Sequence, residues 1–138
     1  MKPILGTALL SVALLWGMPA FSQDRDRDEQ YHRENRDQNY WAGRLFDRIR
    51  ADVDHIQSET PFFSGEQFRL ARTKQELGEL QSNAAAGRFD DKNVDDVVNA
   101  LQRVLAENRL SEHDRDMISD DMARLREYRE HHERYFPR

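Results

Sequence analysis

The chain has 138 residues, 21 basic against 26 acidic side chains, a formal net charge of −5 and no cysteine. That is the length of a single domain, with no disulfide to staple it, and the acidic balance lacks the basic face that nucleic-acid binding requires. Stability must come from apolar burial, aided by pairing between carboxylates and a cation set dominated by arginine (18 Arg to 3 Lys).

Residues 1–22 read as a signal peptide. Lys2 gives a positive start, and Ile4 to Trp16 form an apolar run broken by Gly6, Thr7 and Ser11. Pro19 stops the run, and Ala20 and Ser22 place small side chains at the −3 and −1 positions of a cleavage site. A run of roughly 13 residues is short for a ~30 Å hydrocarbon core, which favours a cleaved signal over an anchor. The expected mature chain starts at Gln23, is exported to the periplasm or secreted, and has no stable membrane insertion. Its charge is −6, since the signal removes only Lys2 from the total of −5.

From Asp24 to Asp37 acids and arginines alternate, with Tyr31 almost alone as an apolar side chain. Such a stretch buries too little to offset its ordering entropy, so residues 23–38 are expected to be a charged, flexible segment preceding a helical domain over 39–138. Asp24, Asp26 and Asp28 begin like a calcium loop, but Glu29 stands where that loop needs glycine.

From Tyr40 the pattern is helical. Trp41, Leu45, Phe46, Ile49, Val53 and Ile56 recur at steps of three and four, with Arg48–Asp52 and Arg50–Asp54 at i,i+4 on the polar face. Pro61 ends this helix. Ser64 and Gln67 have the spacing of a capping box for a second helix, and Phe63 and Phe68 that of a hydrophobic staple. Leu70, Thr73, Leu77, Leu80 and Ala84 continue its stripe, Gly78 marks a close approach to a neighbour, and Gly87 suits the left-handed residue that ends it. Val94, Val97, Val98, Leu101, Val104 and Leu105 define a third helix, capped at Asn93 and ending near Asn108 in a left-handed conformation. Ser111, with Asp114 three residues on, caps a fourth, whose inward residues are Met117, Ile118, Met122, Leu125 and Tyr128. Four amphipathic helices with short connections predict an all-α fold, an antiparallel bundle of about four helices.

No nucleophile elbow, S-x-x-K, H-E-x-x-H or phosphate loop occurs, so no enzyme and no cofactor are expected, with a small hydrolase as the weakest alternative. In an up-down-up-down bundle His32 would approach His131 and His132, with Glu127 one turn before His131. His55 and His113 would meet at the other end. His32, Glu127, His131 and His132 are therefore the candidate metal ligands of an alternative, metal-binding reading. Phe62, Phe63 and Phe68 cluster at one corner, and Tyr135 and Phe136 lie near the end of the chain. Each group either packs into a locally buried corner or forms an apolar patch for self-association, as in a homodimer, or for client binding.

Phe63-Ser64-Gly65-Glu66-Gln67 and Leu110-Ser111-Glu112-His113-Asp114, 47 residues apart, share the order apolar, Ser, two spacers, polar acceptor. The pair resembles the repeated L-T-x-x-Q motif of the periplasmic Spy/CpxP-type stress proteins, with serine for threonine in both copies, phenylalanine for leucine in the first and aspartate for glutamine in the second. The same residues also read as two capped helix starts, with Ser64, Gln67, Ser111 and Asp114 structural. The resemblance implies a small exported helical protein that acts by protein–protein interaction, chaperone-like in the cell envelope.

Overall fold

The computed structural model describes the backbone of residues 22–135 and, within that span, the side chains other than those of residues 22–28, 31, 35, 38 and 133–135. The signal-peptide expectation for residues 1–22 and the Phe136 assignment therefore lie outside the described residues, as does the Tyr135 side chain. Four helices follow one another: α1 (Ser22–Glu59), α2 (Gly65–Ala85), α3 (Asp91–Glu107) and α4 (Glu112–Tyr135). No strand occurs among the described residues, and none of the described helices is long and apolar enough to cross a membrane.

The chain divides into two compact units, residues up to Arg33 and Glu34–Arg138. In the first, residues 22–33 belong to α1. Arginine, glutamate and glutamine are good helix formers, and Glu29 and Arg33 sit at the favourable i,i+4 spacing.

In the second unit, side-chain links between elements fix the topology. Asp54 meets Lys74 and Asp47 meets Gln81, so the pairing order of α1 and α2 is antiparallel. Arg69 meets Glu107 and Asn83 meets Asn93 across α2 and α3. Arg129 pairs with Asp95 while Arg115 reaches the Leu105 carbonyl across α3 and α4. Arg48 meets Asp120 and His55 meets Asp114 across α4 and α1. Each helix thus runs against both of its neighbours in a closed up-down-up-down bundle.

The expected stripes form the core. Leu45, Phe46, Ile49, Val53 and Ile56 are buried against Leu70, Leu77 and Leu80, Val94, Val97, Leu101 and Val104, and Ile118, Met122, Leu125 and Tyr128. Thr73, at an apolar position of α2, satisfies its hydroxyl by donating to the Arg69 carbonyl at 2.9 Å. Trp41 departs from its stripe, remaining 41% exposed at the rim.

Helix ends show where local signals suffice. Ser64 caps α2 by accepting from the Gln67 N–H at 3.1 Å, and Ser111 accepts from the Asp114 N–H at 3.1 Å. At the end of α2, Gly87 (φ 70) donates to the Ala84 carbonyl and Arg88 to that of Asn83, a Schellman pairing. Three expectations are corrected. The α3 cap is Asp90, which is extended and accepts from the Lys92 N–H at 2.9 Å, rather than Asn93. Asn108 is not left-handed but extended and buried. Its amide accepts from Arg69 Nε at 2.7 Å and donates to the Glu66 carbonyl at 3.3 Å, tying α3 to the start of α2. Asp54 pairs with Lys74 at 2.5 Å, and Arg50 donates to Gln81 at 3.2 Å, so contacts across the helix seam replace the expected Arg50–Asp54 pair.

Gly78 marks no tight approach. A Cβ there would meet only Arg50 Nη2 at 3.8 Å, ordinary contact with the far end of a flexible side chain. Gly78→Ala is therefore expected to raise the unfolding free energy by about 0.5–1 kcal/mol through helix propensity alone. Urea denaturation measures this, and a decrease would mean that the helix packing there is tighter than described.

Candidate functional site

Three places depart from the ordinary pattern of apolar core and solvated charge. The first is the turn between α1 and α2. Thr60 Oγ1 donates to the Ile56 carbonyl and Ser64 Oγ to that of Pro61. Gln67 does not close the expected reciprocal box. Its amide instead donates to the Gln57 and Thr60 carbonyls, both at 3.0 Å, and accepts from Gln57 Nε2 at 2.8 Å. Gln67 thereby locks the end of α1 to the start of α2. On this braced turn Phe63 has φ 62, a left-handed conformation that costs a bulky side chain roughly 1–2 kcal/mol. Phe62, Phe63 and Phe68 are 86%, 104% and 74% exposed. Phe63 and Phe68 do not fold inward as a staple. All three side chains are exposed rather than packed into a buried corner, and the Phe62 and Phe63 rings lie 6.5 Å apart between centroids.

The second place is the opposite end of the bundle. Tyr128 meets Phe46 and Phe89 edge-on at 5.4 and 5.7 Å between ring centroids, and Trp41 at 6.1 Å. His132 stacks on Phe89 at 4.0 Å. Burial raises the Tyr128 phenol to about 12. Burial and the neighbouring His131 lower the His132 pKa, with Asp91 opposing. A cavity of about 290 Å³ opens beside these rings, lined by Asp37, Trp41, Glu127, Tyr128, His131 and His132. Three of the four sequence-derived metal candidates, Glu127, His131 and His132, thus line one pocket. His32 is an exposed residue of the first unit. Among the described residues, these four do not form a group with ligand atoms close enough to share an ion.

His55, Glu59 and Asp114, by contrast, bring one ligand atom each within 4.8 Å of one another. His113, the sequence-derived companion of His55, is exposed on the first turn of α4, while its neighbour Asp114 turns inward.

The third place is Asp121, buried at 0% exposure on α4 facing α1. Arg48 Nε lies 3.8 Å from Oδ1, and among the described residues neither carboxylate oxygen has a hydrogen-bond donor. Burial, reinforced by the Asp52 carboxylate, pushes Asp121 up to about 7, against the pull of Arg48 and with a smaller push from Asp120. A proton on this pair lets one carboxyl donate to the other. Three carboxylates are buried among the described residues, Glu76, Asp114 and Asp121, the last two on α4. The signal for those two was spacing: 114, 118, 121, 125 and 128 alternate steps of four and three.

A folded-state pKa of about 7 against an ordinary 3.8 means that the native state holds an extra proton between those values. Asp121 is therefore least costly below about pH 4. Its contribution to stability declines as pH rises through the window, and its penalty is complete above about pH 7. Asp121→Asn should stabilise the protein at pH 8 by about 1–3 kcal/mol and leave stability near pH 4 little changed. Denaturation of both proteins across this range measures the difference. A difference independent of pH would remove the assignment.

Compared with protein-family models, curated proteins and solved structures, the chain matches none.

Proposed function

We propose that this is an exported, non-enzymatic helical protein that acts by protein–protein interaction, holding apolar segments of unfolded or partly folded clients in the cell envelope. The observation that carries this reading is three phenylalanines each at least 74% exposed, Phe62 and Phe63 on the hydrogen-bonded turn before α2 and Phe68 on the first turn of α2. Large aromatic side chains supply much of the energy of protein association, and three together outside a core form an apolar patch of the kind that marks a binding surface. Rigidity helps. Gln67 and Ser64 hold the turn before any client arrives, so less ordering entropy is lost on binding. The charged helix faces around the corner keep the protein itself in solution. The export signal in the sequence and the resemblance of the two serine-capped helix starts to the Spy/CpxP-type motif point to the same class of work.

The test is suppression of aggregation of a reduced or heated client followed by light scattering. The parent protein should suppress scattering at near-equimolar ratio. Phe62→Ser combined with Phe68→Ser, both at exposed positions, should weaken suppression at least about fivefold with unchanged helicity. Failure of the parent at tenfold excess, or full activity of the double variant, would overturn the reading.

Phe63 separates stability from activity. Phe63→Gly relieves the left-handed strain and offsets it with glycine's greater unfolded-state entropy, so stability should stay level or rise by up to about 1 kcal/mol. Client binding should fall. Thermal unfolding and the same scattering assay read the two effects, and a destabilised variant with intact binding would contradict both.

A further inference from the structure

At the end of the bundle that carries the aromatic corner, two helices converge on one imidazole. His55 and Glu59 lie one turn apart on α1, with Nε2 of His55 4.0 Å from Oε1 of Glu59. Asp114, on the first turn of α4, places Oδ1 3.8 Å from the same Nε2. Both separations are too long for hydrogen bonds. Asp114 is 5% exposed, and among the described residues His55 is its ion-pair partner, so a nearly buried carboxylate is aimed at this point without a strong partner there. Glu59 is also electrostatically misplaced. It stands at the negative end of the α1 dipole, where the last turn holds no basic residue. Glu59 and Asp114 open onto a cavity that Glu66 and Arg109 also line. Glu66 accepts from the Arg109 backbone N–H at 3.0 Å.

We propose that His55, Glu59 and Asp114 bind a first-row divalent transition-metal cation, with zinc as the reference case. One imidazole nitrogen and two carboxylate oxygens form a borderline donor set that suits zinc and its neighbours, whereas calcium and magnesium prefer oxygen alone. Neutral imidazole is the ligating form, and the two carboxylates then match the charge of a divalent ion. In a tetrahedral site with bonds of about 2.0–2.2 Å the ligand atoms sit roughly 3.3 Å apart. The present separations close to that value with roughly 0.5–1.5 Å of movement by two exposed side chains, His55 and Glu59, towards a fixed Asp114. Three protein ligands leave a fourth position for water.

Calorimetric titration of the full chain with Zn²⁺ at neutral pH tests the site. One zinc per chain in the micromolar range is expected, weakened at least roughly tenfold in His55→Ala and in Glu59→Gln. Both are exposed positions whose substitution leaves the helices intact, as circular dichroism would check. His131→Ala, at the other end of the bundle, should bind as the parent does, and Ca²⁺ should not compete. Absence of binding at millimolar Zn²⁺, binding that survives His55→Ala, loss of binding in His131→Ala, or equal affinity for Ca²⁺ would each overturn the proposal. None of these outcomes bears on the aromatic corner, whose activity is read with chelator present.

Discussion

The inward stripe of α4 constrains the rest of the bundle. Asp114, Ile118, Asp121, Leu125, Tyr128 and His132 succeed one another at steps of four and three, the spacing that keeps residues on one face of a helix. α4 cannot present its apolar residues to the core without carrying two carboxyls and an imidazole inward with them. Burying such groups unpartnered costs several kcal/mol each, so their neighbours must answer them. α1 supplies His55 opposite Asp114 and Arg48 opposite Asp121. Phe89, from the loop before α3, covers His132 by stacking.

This constraint divides the bundle chemically. The inward residues of α2 and α3 are mostly apolar, Leu70, Leu77, Leu80, Val94, Val97, Leu101 and Val104, with Thr73 self-satisfied on its own helix and the buried Glu76 paired with Arg72 one turn before it. Between those helices the polar links lie at the margins, through Arg69, Glu107 and Asn108 at one end and Asn83 and Asn93 at the other. Between α1 and α4, ionisable groups enter the seam itself. The compensation there is uneven. Arg48 is shared among Asp52, Asp120 and Asp121, and Asp120 is also engaged by Arg124 at 2.9 Å. Arg124 and Arg48 hold the exposed Asp120 carboxyl below its usual range, while Asp121 beside it is pushed the other way. Two adjacent aspartates thus differ because one faces water and guanidinium groups and the other faces the core.

The sequence made the apolar part of this legible, because burial follows periodicity and four stripes allow few arrangements. Serine caps at 64 and 111 and the glycine end at 87 were legible for the same reason: each is a short-range rule whose donor and acceptor lie within a few residues. Two kinds of feature were not. Asn108 and Gln67 act across elements, and no local pattern tells that an asparagine suited to a left-handed turn will instead tie two helices together. Asp121 was passed over, and Asp114 was read only as part of a helix start, because a charged residue is expected on the outside by type. Their positions in the four-three rhythm were visible, and there spacing outweighs polarity. The aromatic corner was located by sequence, but whether it faced the core or water depended on the backbone at Phe63.

That backbone conformation is costly to the fold. Glycine at position 63 would hold the same turn without the steric cost of a left-handed phenylalanine, and the hydrogen bonds of Thr60, Ser64 and Gln67 would brace it equally well. The Phe63 ring contributes no burial in return, since it is fully exposed. Stability therefore gives no account of an aromatic residue there. Asp121 presents the same imbalance inside the seam, where an uncharged residue of similar shape would avoid the penalty of a buried carboxyl. Where local rules are broken without a structural return, the compensation is sought in what the protein binds. At the corner, the feature kept at that cost is an exposed aromatic side chain on a hydrogen-bonded turn.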